Sequence, residues 1–428
     1  MKKRIFIVCI CIIYSTISLP QESEKNPKFK FSFSERLRLT TIDRSITLDR
    51  EKEAWTFNRW RTYLGTEYAP NEHWAVKLEL GNEARIWISP ASKKSTIDEI
   101  FVNQFYIDYK MGALPLDIRL GRQNLMFDEG FVCMDGNPLV GSRSAYFNAI
   151  KATCRIDKKN EVTAFFSYNP EKENIFPVIH KNNPEQLLEE QTNKGMGIYY
   201  KSKIETVGFS AYYFHKNYLK NDLYPKAHTN AIGSRLLFPF LNGFTFTTEL
   251  TCQFGKTGNW DRRSYGGYAR LEYNFGESVP VIRRILSGAF YLSGDNPKTE
   301  KVEGWDPLWS RWPKWSESYI YTLIQENQGK VGYWSNINSL HAGIAGSVSS
   351  KVDFTADYHH LLAPEYNGTQ FCSGGGKRRG SLLVMKLNYP IDKRWSGHFL
   401  WEHFKPGNFY FKGADKYDWM RFELLYKF

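Results

Sequence analysis

FKFSFSERLRLT, residues 29–40, decides the fold. Phe29, Phe31, Phe33, Leu37 and Leu39 alternate with Lys30, Ser32, Ser34, Arg36, Arg38 and Thr40. A period of two puts oily side chains on one face of an extended strand and basic or polar ones on the other. Glu35 interrupts the oily face, which predicts a bulge or kink at that point.

The last nine residues repeat the pattern: Met420, Phe422, Leu424, Tyr426 and Phe428 share one parity, and Arg421, Glu423 and Lys427 the other. A terminal Phe closing an alternating strand resembles the assembly signal of bacterial outer-membrane barrels. Between these ends the alternation predicts strands at 54–68, 73–87, 99–110, 116–123, 147–156, 161–169, 194–202, 205–214, 229–238, 244–254, 264–275, 283–293, 337–349, 351–361, 380–390 and 394–404. With the two terminal strands the total is even, about eighteen. Links after even-numbered strands are short, as at APNE (69–72), MGALP (111–115) and IDKKN (156–160). Links after odd-numbered strands are long, at about 41–53, 124–146, 170–193, 215–228, 294–336, 362–379 and 405–417. A soluble sandwich has no reason to sort its loops by parity. A membrane barrel with short periplasmic turns and long extracellular loops does.

Composition agrees. Mean hydropathy of −0.49 excludes a polytopic helical membrane protein, and 16% aromatic residues exclude a disordered chain. Residues 1–18 read as a signal peptide: Lys2, Lys3 and Arg4 precede an apolar run from Ile5 to Tyr14 that is too short to span a bilayer. Its removal would lower the net charge from +12 to +9. Cys133, Cys154, Cys252 and Cys372 show no ligand or redox spacing and read as small apolar filler. The expected architecture is all-β: a transmembrane antiparallel β-barrel of about 18 strands formed by residues 19–428, integral to the bacterial outer membrane.

With the oily parity facing lipid, the other parity lines a lumen. Arg36, Arg38, Arg59, Arg61, Lys77, Arg85, Arg119, Lys151, Arg155, Arg235, Arg270, Lys386 and Arg421 fall there, among Glu67, Glu79, Glu83, Asp108, Asp117, Glu249, Asp353, Asp357, Glu402 and Glu423. Charges face inward in any barrel, since a lipid-facing Arg costs about 2–4 kcal/mol at the midplane. The excess of Arg over Lys carries more information, because the planar guanidinium suits bidentate capture of carboxylate, sulfate or phosphate. Arg36/Arg38 and Arg59/Arg61 lie on neighbouring strands and would set up a positive field that draws polyanions inward.

About eighteen strands leave an aqueous bore, so selectivity needs a constriction. The long loop 294–336 offers Trp305, Trp309, Trp312 and Trp315 together with Arg311. Such rings must pack on something. Packing on the barrel rim is the expectation, and a folded-in loop that presents rings and Arg311 to a sugar is the alternative.

These residues resemble the alginate-export-type outer-membrane porins. The matching stretches are FNRWRTYLG (57–65), LGRQNLMF (120–127), LVGSR (139–143), GWDPLWSRWPKWSE (304–317), YHHLLAPE (358–365), SGGGKRRGSLL (373–383), SGHFLWEHFKPGNFY (396–410) and the aromatic C-terminus. The resemblance implies an eighteen-stranded monomeric barrel whose arginine-rich lumen passes an anionic polysaccharide or oligosaccharide. It also adds Arg122 of the GRQ run to the lumen cations.

Two further readings stay open: a general anion-preferring porin, and a barrel whose loops carry a surface-binding or enzymatic role. His359 and His360 lie close to Asp357, but adjacent residues of a strand point to opposite faces, so at most one His joins a lumen group. SGGGKRRG lacks the spacing of a phosphate-binding loop. No cofactor, no metal ligation and no nucleic acid are expected. The expected partners are an acidic glycan, outer-membrane lipid and periplasmic export or uptake components.

Overall fold

The computed structural model describes residues 29–43, 47–49, 51–95, 97–112, 114–134, 147–181, 187–276, 281–310, 316, 325–327, 330–331 and 335–428. The expected signal peptide, the LVGSR stretch, Arg311, Trp312 and Trp315 lie outside the described residues.

Eighteen long strands make one closed antiparallel barrel. They are β1 (Phe29–Ile42), β2 (Trp55–Tyr68), β3 (Trp74–Ser89), β4 (Ile100–Met111), β5 (Leu116–Gln123), β6 (Phe147–Arg155), β7 (Asn160–Asn169), β8 (Asn193–Ile204) and β9 (Val207–Tyr218). The circuit continues with β10 (Ala227–Phe240), β11 (Phe244–Thr257), β12 (Trp260–Asn274), β13 (Ile282–Leu292), β14 (Ile337–Ser349), β15 (Val352–Leu362), β16 (Arg378–Pro390), β17 (Trp395–Pro406) and β18 (Tyr417–Lys427). Each pairs with its successor, and β1 also pairs with β18, from Ser34 opposite Lys427 to Ile42 opposite Trp419. Closure matters because hydrocarbon offers no partner to an edge N–H or C=O. Among the described residues no helix forms.

The period-two reading sets the faces. Leu64, Leu120, Leu250, Leu340 and Phe422 are outward and exposed, whereas Arg36, Arg38, Arg421 and Glu402 on the opposite parity are buried. Aromatic rings crowd the short-turn rim: Trp74 and Tyr109 lie 4.4 Å apart, Phe244 and Tyr273 4.5 Å, and Trp395 and Tyr426 4.9 Å. Such a girdle seats amphipathic rings at the headgroup level.

Two local expectations change. Glu35 makes no bulge: the β1–β2 register runs unbroken from Phe29 to Ile42, and Glu35 stays on the outer face, where the Thr62 hydroxyl donates to its Oε2 at 2.5 Å. The β11–β12 link is a two-residue turn at 258–259, with Gly258 at φ 60°, although it follows an odd-numbered strand. Beyond the lipid band the outward residues turn polar, so the oily alternation ends before the hydrogen-bonded ladder does.

Candidate functional site

Cross-strand register assembles an arginine wall on β18, β1, β2 and β3. Arg36 stands opposite Arg61, Arg38 opposite Arg59, and Arg59 opposite Arg85, while Arg421 lies opposite Thr40. Like charges directly opposite one another are destabilising unless something offsets them. Carboxylates do part of this: Glu423 pairs with Arg38 Nε and lies 4.0 Å from Arg36 Nε, and Glu83 stands opposite Arg61. Aromatic rings on the same face contribute as well. The guanidinium of Arg61 lies 4.7 Å from the Tyr63 centroid, that of Arg59 5.0 Å and that of Arg85 5.2 Å from Phe57, and that of Arg421 5.8 Å from Trp419. Cation–π contact adds attraction without consuming the edge N–H donors.

Elsewhere the inward cations are mostly tied to acids. Arg119 holds Asp108 bidentately at 2.6 and 2.8 Å, Arg155 reaches Asp117 at 2.6 Å, and Lys77 lies 3.4 Å from Glu79. Lys151 stands opposite Arg119 in a 420 Å³ cavity that Asp128 also lines, and Lys386 faces inward opposite Thr355. The inward acids Glu67 and Asp357 stand opposite Lys77 and Gly343.

Two long loops enter the bore. Residues 124–134 double back through a Met126–Met134 bridge, and Phe127 stacks on Tyr199 at 4.5 Å. Asp128 accepts hydrogen bonds from Tyr199 and from Ser210, while Glu129 binds Arg235 at 2.8 Å and Arg270 at 3.2 Å. Burial alone would raise the Asp128 carboxyl, but Ser210, Tyr199, Arg235 and Lys201 hold it below its usual range.

The longest loop, 293–336, meets this one. Trp305 stacks on Phe131 at 5.3 Å, and Trp309 packs against Phe147, Phe165 and Phe214. Asp306 accepts from Tyr218 and Thr229, and Lys216 Nζ donates to the Leu308 carbonyl at 2.6 Å. Burial would raise Asp306, yet Arg262, Lys216, the Leu308 N–H and Thr229 keep it low. Trp305 and Trp309 therefore turn inward instead of resting on the rim, because their rings find an apolar bed of Phe side chains there.

Seven residues after Trp309, Ser316 donates to Glu402 on β17 at 2.6 Å. β8, where Trp309 lies near Asn193, and β17 stand nine strands apart in an eighteen-strand circuit, on opposite walls. Seven extended residues reach at most about 24 Å. Two described points of this loop, Trp309 and Ser316, thus contact opposite walls of the barrel.

Residues 22–422 match the alginate export family. The chain belongs to that family. By structure this alginate export family member is similar to porins of Pseudomonas aeruginosa. OpdQ gives a TM-score of 0.61 at 11% identity, covering 94% of this chain and 99% of that one. OccK5 (OpdH) gives 0.60 at 12%, covering 94% and 98%. OccK2 (OpdF), solved in complex with glucuronate, gives 0.60 at 9%, covering 93% and 97%. No curated protein matches the chain. The alginate export family member is an integral outer-membrane β-barrel, and its fold and family are those of a channel.

Arg122 departs from the lumen expectation. It shares the outward parity of Leu120 and stands opposite outward Phe105. There it is buried by the segment after β7: Glu173 takes its Nη1 and Nη2 at 2.7 and 2.9 Å, the Phe176 ring covers it at 4.5 Å, and Val178–Ile179 pairs with Ile100–Phe101. Burial would raise Glu173, but Arg122 and the Phe176 and Ile175 N–H groups hold it low. The loop acids Asp128, Glu129 and Asp306 are absent from the sequence reading, since an aperiodic loop carries no parity from which to read direction.

Proposed function

We propose that this outer-membrane channel is passive and anion-selective and passes an acidic oligosaccharide or polysaccharide of the uronate type. In this reading Arg36, Arg38, Arg59, Arg61, Arg85 and Arg421 form the binding wall, the 293–336 loop is the constriction, and the barrel works as a monomer without catalysis.

The observation that carries the reading is the run of arginines set opposite one another, Arg36–Arg61, Arg38–Arg59 and Arg59–Arg85. A wall of like charges is relieved by an anion. Arg61 Nε and Nη1 are buried and have no hydrogen-bond partner among the described residues, a deficit that an anion drawn against this wall would relieve. Glu423 and Glu83 keep the field from becoming a trap, since passage requires weak, repeated binding. The glucuronate complex of OccK2 lends support from a barrel of the same fold.

The test is zero-current reversal potential across a salt gradient in planar bilayers, for wild type and Arg59→Ala/Arg61→Ala, with and without acidic oligosaccharides. Anion preference that weakens in the variant, with oligosaccharide block of the wild type, supports the reading. Conduction with mild anion preference and no sugar block points to a general porin. A barrel that conducts without charge preference sinks the proposal.

A further inference from the structure

On the outer surface, away from the bore, β8 to β12 carry basic side chains at the level where the oily band ends. Lys194, Asn217, His228 and Lys256 stand in register across β8, β9, β10 and β11. One step toward the short-turn rim come Met196, His215, Asn230, Phe254 and Arg263. The His215 and His228 rings lie 6.1 Å apart, and His215 Nδ1 is 2.9 Å from Asn230 Oδ1. The next step is Ile198, Tyr213, Ile232, Cys252 and Tyr265, all exposed. Asp261 answers Lys256 at 3.7 Å with both side chains 60% exposed, a pairing of little strength in water.

Below Arg263 the outer wall is hollowed into an apolar groove of 450 Å³ lined by Leu250, Cys252, Tyr265, Gly267, Ala289 and Tyr291. Gly267 and Ala289 keep its floor low, and Tyr265 and Tyr291 stack in parallel at 5.3 Å at its long-loop end. Cations at the headgroup level directly above an apolar groove match one kind of ligand, an acylated anion lying along the barrel wall.

We propose that β8–β12 bind a phosphorylated glycolipid of the outer leaflet, its phosphates on Lys194, His228, Lys256 and Arg263 and an acyl chain in the groove. The basic row spans four strand spacings, roughly 19 Å. That width suits a disaccharide headgroup carrying two phosphates. The site lies outside the bore and is independent of what the channel passes.

The test uses the purified full chain in detergent, titrated by native mass spectrometry with a bis-phosphorylated, multiply acylated glucosamine disaccharide and with its dephosphorylated form. Wild type should prefer the phosphorylated lipid. Lys256→Gln/Arg263→Gln should weaken that binding about thirtyfold, as expected for two cations near an anionic surface. Ala289→Trp should weaken binding of both lipids by filling the groove, with single-channel conductance unchanged in every variant as the control for folding. Equal binding of the two lipids, or undiminished binding by the double variant, overturns the proposal. So does a variant that changes only the oligomeric mass, which would assign the surface to a second barrel.

Discussion

Ser316 donates a hydrogen bond to Glu402 Oε2 at 2.6 Å, tying the longest loop to the wall opposite the one on which Trp309 packs. Glu402 is fully buried on β17, so under the proposed constriction this bond is one of the loop's fastenings to the wall. Ser316→Ala should remove a charge-assisted hydrogen bond of about 1.5–3 kcal/mol. The expected result is larger mean conductance and noisier open-channel current, read in planar bilayers. A trace indistinguishable from wild type would mean that the loop is held without this anchor.

At the other anchor the decisive contact is steric. A Cβ on Gly195 would collide with the Trp309 ring and with Ser167 Oγ. Gly195→Ala should displace Trp309 from its Phe bed and admit larger neutral sugars, measured by liposome swelling. Gly208→Ala meets only ordinary contact with Leu237 and should leave swelling rates as they are.

Asp128 predicts a pH dependence. Its carboxyl is held below the usual range in the latched loop, so the latch is stabilised above the ordinary Asp pKa of about 3.9 and weakens as pH falls through the depressed value. Gating noise should stay low at neutral pH and rise only in strong acid. Asp128→Asn should bring that noise to neutral pH. Noise that rises equally with acid in the variant would place the titrating group elsewhere.

Arg122 and Glu173 separate stability from selectivity. Both are buried outside the bore, and breaking such a pair by removing one partner costs about 3–5 kcal/mol. Glu173→Gln should lower the thermal unfolding temperature and expose the segment near Val178 to protease, with reversal potential unchanged. A shift in ion selectivity would mean that Arg122 acts on the bore after all.

The sequence by itself determined the strands, their faces and the closing of the circuit, because lipid on one side and water on the other impose a period of two that no loop can disguise. It also determined which cations share the inner face, Arg36, Arg38, Arg59 and Arg61 among them, since parity within a strand is a local property. Arg122 shares the outward parity of Leu120, while the family resemblance placed it in the lumen. Only the tertiary structure could resolve this, by bringing Glu173 from a loop 51 residues away to cover it. The same holds for the proposed constriction. Where Trp309, Asp128 and Ser316 settle depends on apolar beds and counter-charges assembled from strands far apart in the chain, and no periodicity within a loop encodes that meeting.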